Sequence, residues 1–334
     1  MQGAVATPWG GLPATFTAVP PWQPSPTPTS TPTPIPTVIP ATPDPYTPYT
    51  VVYLSERSYG TGGDLRIEET MGETADFTRY LISYPSDGLT IYGFMNVPKS
   101  NGPHAVVLVL HGYWPPADYN TIGYTAPYAD ALAQAGFIAI HPNYRHHPPT
   151  AESANEKENY FRVGYALDVL NLLAQVQRQA GQPGPLATAA AQHIHLFGHS
   201  MGGGIALRVL VVGSGVESAV LYGAMSGNEQ QNYERIRVWS NQADGDFELS
   251  LSAENLARIS PINYLEQIQA RISIHHGTQD ATVPPQWSAD LCERLQDLQK
   301  TVECFTYAGQ PHNFTGAGNQ LLIERAIAFF TAAN

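Results

Sequence analysis

Ile194-His195-Leu196-Phe197-Gly198-His199-Ser200-Met201-Gly202-Gly203 joins a short apolar run to a helix-forming run that ends at Val212. The pattern Gly-x-Ser-x-Gly between a strand and a helix is typical of a sharp turn that exposes a reactive serine. A side chain at Gly198 or Gly202 would collide with the neighbouring chain, which explains why both flanking residues are glycine. The sequence therefore predicts that Ser200 lies at the tip of a strand, directly in front of a helix N-terminus.

The rest of the chain from Tyr80 onward alternates between short β-rich runs and longer helical stretches. Several of the short runs are apolar throughout, as expected when helices cover both faces of a parallel sheet. This alternation predicts an α/β fold with a mostly parallel, eight-stranded, doubly wound sheet flanked by helices, its first hairpin antiparallel. The predicted strands are Tyr80–Tyr84, Thr90–Val97, Ala105–Leu110, Phe137–Ile140, Ile194–Phe197, Ala219–Tyr222, Ile272–His275 and Val302–Tyr307.

Residues 1–48 differ in composition from the rest, because they hold 14 of the 29 prolines and a single charged residue, Asp44. Such a segment cannot build an apolar face, so we predict a disordered, extended Pro/Thr-rich stalk or linker. The alternative is a tail without a role. Residues 49–334 then form the folded domain. Within it, the polar stretch 223–269 is predicted either to form a small cap or to be an ordinary surface excursion.

Composition also bears on location and partners. Pro/Thr stalks are typical of exported proteins, and residues 1–11 lack the basic and apolar regions of a signal peptide. We therefore expect an extracellular or cell-surface-attached protein, tethered through the stalk, whose signal segment has been removed. Apolar runs of about 18 residues, which a spanning helix needs, do not occur in the sequence. A formal charge of −12 with three lysines argues against nucleic acid as a partner.

The two cysteines, Cys292 and Cys304, straddle a predicted reversal from helix to strand. Eight helical residues rise about 12 Å and three strand residues about 10 Å, so the two thiols can lie level with each other. In an exported protein this arrangement predicts a disulfide. Two buried free thiols are the alternative.

Ser200, Asp280 and His312 follow one another in the order nucleophile, acid, base. Asp280 comes just after a predicted strand, and a carboxylate there can reach an imidazole that faces the nucleophile. His312 follows the last predicted strand, and a neutral imidazole can take the serine proton and return it to a leaving group. The sequence therefore predicts a catalytic triad of these residues.

The remaining candidate residues surround this triad. The Met201 and Tyr113 backbone N–H groups are the predicted oxyanion donors, and His111 is predicted to brace the second loop. His275 and His276 lie at the end of a strand and are predicted to be structural. The side chains that could line an acyl pocket, with core or surface packing as the alternative, are Trp114, Tyr144 and Trp239.

Metal and cofactor sites are not predicted. Cysteines and histidines with zinc spacing do not occur in the sequence. Asp244, Asp246 and Glu248 resemble the start of a calcium loop, but the required glycine and distal glutamate are out of register.

Residues 80–334 resemble the prolyl-oligopeptidase-type, acylaminoacyl-peptidase-like branch of the α/β-hydrolases. The resemblance implies the α/β-hydrolase fold and a Ser-Asp-His serine hydrolase that acts on esters or peptide bonds. The chain departs from that branch because it has no β-propeller domain and lacks the usual glycines after Arg145. The motifs that carry the resemblance are Ser86-Asp87-Gly88-Leu89, His111-Gly112, Asn143-Tyr144-Arg145, Gly198 to Gly202, Ser260-Pro261, His276 to Pro284 and His312.

Three functions remain open at this point. The leading prediction is a carboxylesterase that works through an acyl-enzyme on a small-molecule or polymer-linked ester, with acetylated or feruloylated polysaccharide suggested by analogy. An exo- or oligopeptidase is the first alternative, in which Glu152, Glu156 and Glu158 would hold a substrate's amino terminus. An inactive, surface-attached binding module is the second. The oligomeric state is not predicted.

Overall fold

An uninterrupted apolar strand needs cover on both faces, and His104–Leu110 is buried at every residue. In the computed structural model, which describes residues 44–150, 156–213 and 215–332, this run lies inside a nine-stranded sheet with the order β1-β2-β3-β5-β4-β6-β7-β8-β9. Strands β1, β2, β3 and β5 pair antiparallel, and the other pairs are parallel. The strands are β1 (Arg66–Glu73), β2 (Phe77–Ser86), β3 (Leu89–Pro98), β4 (His104–Leu110), β5 (Ile138–Pro142), β6 (Ala189–His199), β7 (Ser218–Tyr222), β8 (Arg271–Gly277) and β9 (Val302–Tyr307).

The alternation of side chains along β4 separates the two helical layers of the domain. Val106 and Leu108 point into the apolar cluster that includes residues of the helices Val163–Gln179, Met201–Val212 and Pro285–Asp297. Val107 and Val109 point into the cluster with the helices Ala126–Gln134 and Gly316–Thr331. The fold is therefore a doubly wound α/β sheet, as predicted. The α-helices are α1 (Val51–Glu56), α2 (Ala126–Gln134), α3 (Val163–Gln179), α4 (Met201–Val212), α5 (Glu229–Trp239), α6 (Asp246–Leu249), α7 (Ala253–Ile259), α8 (Pro285–Asp297) and α9 (Gly316–Thr331).

The predicted count of eight strands is wrong, because β1 adds a ninth at one edge of the sheet. Every residue of β1 is exposed, so the strand carries no alternation of buried and exposed residues that sequence patterning could detect. Its pairing with β2 is irregular at two places, between Ile67 and Glu69 and between Thr70 and Gly72. The eight predicted strands correspond to β2–β9.

Residues 223–269 form α5, α6 and α7, which pack beside the sheet against a separate apolar cluster. That cluster joins Tyr233 and Ile259 of the excursion to Leu54 and Phe161. Arg235, on α5 of the excursion, donates a hydrogen bond to the Thr282 carbonyl oxygen at 2.9 Å, in the loop that follows β8. The excursion thus reaches the loop of Asp280, and its role as a cap stays a prediction.

The folded unit begins at Asp44, five residues before the predicted boundary. Arg258 binds the Asp44 carboxylate at 2.7 Å, while the predicted stalk up to residue 43 lies outside the described residues. Cys292 in α8 and Cys304 in β9 form a disulfide, as the sequence predicts. Within the described ranges, the helices are all too short or too polar to cross a membrane.

Candidate active site

Ser200 occupies the turn between β6 and α4 in a strained backbone conformation, with φ 57° and ψ −120°. A side-chain carbon at Gly198 would lie 2.5 Å from the Gly202 carbonyl oxygen, and one at Gly202 would collide with the Leu110 carbonyl oxygen. Both glycines are therefore required by close backbone approach. The Met225 N–H donates to the Ser200 carbonyl oxygen at 3.0 Å and fixes the turn from the other side.

The structure brings the three predicted residues together at the C-terminal edge of the sheet. His312 Nε2 lies 2.9 Å from Ser200 Oγ, and His312 Nδ1 lies 2.7 Å from Asp280 Oδ2. Ser200 and Asp280 are each 8% exposed, so the contacts are shielded from bulk water but the serine is not sealed off. An imidazole between a hydroxyl and a carboxylate can accept the serine proton while the carboxylate stabilises the charge that results.

Asp280 is surrounded by hydrogen-bond donors. Its Oδ1 accepts from the Thr282 and Val283 N–H groups, both at 2.8 Å, and its Oδ2 faces both His312 and His276 Nε2, the latter at 3.0 Å. Burial opposes ionisation, but hydrogen bonds from His276 and His312 outweigh it and hold the pKa of Asp280 below its usual value. Asp280 is therefore a carboxylate at neutral pH.

His199, the residue before the nucleophile, ties two loops of the site together. Its Nε2–H donates to the His312 carbonyl oxygen at 3.1 Å, and its Nδ1 accepts from the Tyr124 hydroxyl at 2.6 Å. Burial, reinforced by the nearby His312, lowers the pKa of His199 to about 3. The ring is therefore neutral at physiological pH and can donate on one side and accept on the other.

The loop after β4 lies directly against the nucleophile. A side-chain carbon at Gly112 would collide with the Tyr124 hydroxyl oxygen and lie 3.0 Å from Ser200 Cβ, so a larger residue would displace Tyr124 and crowd the nucleophile. His111 is fully buried, with ring nitrogens 2.6 Å from the Gly112 and 3.1 Å from the Asn143 carbonyl oxygens, and it braces the loop as predicted. Tyr113 follows and is 69% exposed, and its role as an oxyanion donor stays a prediction.

The three predicted pocket aromatics lie in different surroundings. Trp114 packs 5.9 Å from the ring of Tyr124, close to the His199 contact. Trp239 ends α5, is 41% exposed and lies 5.6 Å from the Arg235 guanidinium that holds the loop of Asp280. Tyr144 does not line an open cleft, which corrects the prediction. It is fully buried, and its ring stacks on that of His111 with the centroids 4.3 Å apart.

Sequence reasoning missed the roles of His199, Tyr124 and His276 in the site. His276, which is predicted to be structural, contacts Asp280 at 3.0 Å. Its position four residues before the acid, at the C-terminal end of a strand, was the available signal. In the described part of the chain, His, Cys, Asp and Glu side chains do not cluster in threes that could hold a metal ion. The side chains of Glu152, Glu156 and Glu158 lie outside the described residues.

Comparisons with known proteins agree with this fold. A profile of the dienelactone hydrolase family matches residues 91–328. The chain is similar to the uncharacterized peptidase YtmA of Bacillus subtilis (strain 168), with 26% identity over 250 residues that cover 74% of this chain and 90% of that protein.

Two solved structures share the fold. The acylaminoacyl peptidase of Pyrococcus horikoshii superposes with a TM-score of 0.62 at 20% identity, over 78% of this chain and 42% of that one. Acetyl xylan esterase 1 from Thermoanaerobacterium sp. JW/SL YS485 superposes with a TM-score of 0.59 at 17% identity, over 86% and 93% of the two chains. This chain thus spans about two-fifths of the length of the peptidase and most of the esterase.

Proposed function

The chain belongs to the dienelactone hydrolase family and is a serine hydrolase, and we propose that it cleaves carboxylic esters with a Ser200-His312-Asp280 triad. The observation that carries this proposal is the continuous pair of hydrogen bonds from Ser200 Oγ through His312 to Asp280, at 2.9 and 2.7 Å. The strained backbone of Ser200 supports it further, because a sharp, strained strand-to-helix turn is how this class of hydrolase exposes its nucleophilic serine.

The first half of the reaction forms an acyl-enzyme. His312 Nε2 takes the proton from Ser200 Oγ as the oxygen attacks the ester carbonyl carbon, and Asp280 stabilises the imidazolium. The carbonyl oxygen becomes an oxyanion, which the Met201 and Tyr113 N–H groups would hold beside the helix N-terminus. His312 then gives its proton to the departing alkoxide, and the alcohol leaves.

The second half repeats these steps with water. His312 takes a proton from the water molecule, whose oxygen attacks the acyl carbon. The tetrahedral intermediate collapses, the proton passes to Ser200 Oγ, and the carboxylic acid is released. This cycle uses only the chain's own groups.

An exo- or oligopeptidase is the second candidate, because the same three groups can attack an amide and two of the similar proteins are named as peptidases. Coverage alone does not decide between them, because the match extends over 93% of the acetyl xylan esterase and also over 90% of the peptidase YtmA. The acylaminoacyl peptidase, however, has more than half its length outside the match. We therefore favour ester cleavage, on a small-molecule or polymer-linked substrate.

Labelling with a fluorophosphonate tests the nucleophile. We expect one equivalent of label on Ser200, identified by peptide mapping, and loss of labelling in Ser200→Ala. The variant should also lose roughly 10⁴-fold or more of the hydrolysis rate, as removal of a serine nucleophile does elsewhere. A wild-type chain that stays unlabelled would favour the alternative of an inactive binding module.

A matched pair of substrates separates the two activities. We would compare a nitrophenyl ester and a nitroanilide that carry the same acyl group, on one preparation, with Ser200→Ala as background. An esterase should cleave simple acyl esters and leave aminoacyl anilides largely intact. A kcat/KM for the aminoacyl anilide that is comparable to the kcat/KM for the ester with the same acyl group would establish the peptidase instead.

We also propose that the protein works outside the cytoplasm, since disulfides such as Cys292–Cys304 persist in oxidising compartments. Fractionation of the producing cell should recover the enzyme in the medium or on the cell surface. Recovery in the cytoplasm with two free thiols would contradict this placement.

A further inference from the structure

A second imidazole contacts the acid of the proposed triad. We propose that His276 is a positioning residue that holds the Asp280 carboxylate, and that Ser288 in turn fixes the orientation of His276. The inference rests on the proposed function, because it assigns a role to residues behind the same triad. Its evidence is the 3.0 Å distance from His276 Nε2 to Asp280 Oδ2, with the Val283 carbonyl oxygen also 3.1 Å from the same nitrogen.

Asp280 Oδ2 is shared by two rings. His312 Nδ1 lies 2.7 Å from this oxygen and His276 Nε2 lies 3.0 Å from it, whereas Oδ1 is occupied by the Thr282 and Val283 N–H groups. Two hydrogen bonds hold Oδ1, but combined small changes of the Asp280 side-chain torsions can still displace Oδ2. The approach of His276 Nε2, in addition to that of His312 Nδ1, restricts the position of Oδ2 opposite His312.

The surroundings of His276 determine which nitrogen carries the proton. Nε2 faces the Asp280 carboxylate and the Val283 carbonyl oxygen at 3.1 Å, and neither group can donate. Nδ1 faces the Ser288 hydroxyl at 2.6 Å, and a hydroxyl can donate to it. The proton therefore lies on Nε2, and Ser288 stabilises this tautomer.

The contacts of His276 and Ser288 are buried, which makes each of them costly to lose. His276 is 2% exposed and Ser288 is 6% exposed, so water cannot readily replace either partner. Ser288 lies on α8, one turn before Cys292, whose disulfide joins α8 to β9. The chain of contacts thus runs from a covalently anchored helix through His276 to Asp280, and then to His312 and Ser200.

Three substitutions separate the proposed role from general packing. In His276→Asn the shorter amide reaches only the position of Nδ1, so it can contact Ser288 but not Asp280. In His276→Gln the longer amide places an N–H near the position of Nε2 and restores the donor to Asp280. Ser288→Ala removes the group that fixes the tautomer.

His275 offers a matched control on the same strand. It is fully buried, and its ring contacts Tyr307 and Ser273 at 2.7 and 2.8 Å on the other face of the sheet, away from the triad. His275→Asn therefore removes a buried imidazole of equal size without touching Asp280. The change in the Tm of this variant measures how much stability is lost when a buried imidazole is removed away from the triad.

The first readout is the second-order rate of Ser200 labelling by a fluorophosphonate, which does not depend on the choice of substrate. We expect His276→Asn to label at least about tenfold more slowly than wild type, as for loss of one hydrogen bond to a charged group. His276→Gln should recover most of the rate, Ser288→Ala should fall between them, and His275→Asn should match wild type. On a nitrophenyl ester, kcat should fall in His276→Asn with KM unchanged.

The second readout is the far-downfield proton resonance of the His312 Nδ1–H, which should move in His276→Asn and stay in place in His275→Asn. Equal labelling rates for wild type and His276→Asn, or equal slowing by His275→Asn, would overturn the proposal. Should wild-type Ser200 fail to label, the proposed function fails, while an unmoved resonance in His276→Asn would separately reject the positioning role.

Discussion

The imidazole of His199 donates a hydrogen bond to the backbone carbonyl oxygen of His312, at 3.1 Å. The residue before the nucleophile therefore holds the loop that carries the proposed base. The two rings lie 4.7 Å apart, and Tyr124 occupies the other nitrogen of His199 at 2.6 Å. The loops after β4, β6 and β9 thus meet at one side chain.

His199→Phe should lower kcat/KM for a nitrophenyl ester by about tenfold, because phenylalanine keeps the stacking on Tyr222 at 4.1 Å and loses both hydrogen bonds. Tyr124→Phe, which removes one of the two bonds, should have a smaller effect. Steady-state kinetics and thermal unfolding on the same preparations check this. Activity of His199→Phe within twofold of wild type would contradict the arrangement.

Gly202→Ala should lower the free energy of unfolding by about 3 kcal/mol or more, because its new carbon collides with the Leu110 carbonyl oxygen. Gly204→Ala, in the same helix, is the matched control. Its carbon would lie 3.2 Å from Met225 Cβ, a contact that a small shift relieves, so we expect a change within about 1 kcal/mol. Urea unfolding that shows equal losses would argue against the close approach at Gly202.

Replacing both Cys292 and Cys304 by serine should lower the free energy of unfolding by about 3 kcal/mol, since the disulfide closes a short loop in the unfolded chain. Urea unfolding of wild type with and without a reductant provides the comparison. The reductant should have no effect on the double variant. If reduction leaves the wild-type midpoint unchanged, the bond does not stabilise the fold.

Stability should fall as the pH drops below about 6.5, because burial lowers the pKa of His111, His199 and His275 to about 3. Between these pH values the unfolded chain binds protons that the folded chain does not. Each imidazole then removes up to about 1.4 kcal/mol of stability per pH unit. Urea unfolding at pH 7 and pH 5 measures the total loss in the free energy of unfolding, to which these three imidazoles contribute.

The variant His275→Asn provides the control for this prediction. It lacks one of the three imidazoles, so its loss of stability between pH 7 and pH 5 should be smaller than that of wild type by about 2 kcal/mol. An equal loss in both proteins would mean that His275 is protonated in the folded state.

The parts of the molecule that follow a periodic pattern could be predicted from sequence. The apolar runs that became β4, β6, β7 and β8 are buried on both faces, and the strand-helix alternation fixes their direction. The proximity of Ser200, Asp280 and His312 could also be predicted, because each follows a strand of the parallel sheet and the loops at the C-terminal ends of such strands meet at one edge.

The parts set by tertiary contacts could not be predicted. From sequence, Tyr144 could line a pocket or pack in the core, and the structure shows the second: it is fully buried, and the neighbouring Arg145 is buried with it and paired with Asp168 at 2.8 Å. His276 and His275 are neighbours of the same type, and only strand register decides which one faces Asp280.

The outermost strand, β1, bears on how the molecule behaves at high concentration. An open strand edge invites a strand from a second molecule, which is how native sheets begin to aggregate. Here the pairing of β1 is interrupted at two places, and three glutamates, Glu68, Glu69 and Glu73, stand along its eight residues. A second copy laid against β1 would meet an irregular backbone and the carboxylates of Glu68 and Glu69, which disfavours pairing between molecules along this edge of the sheet.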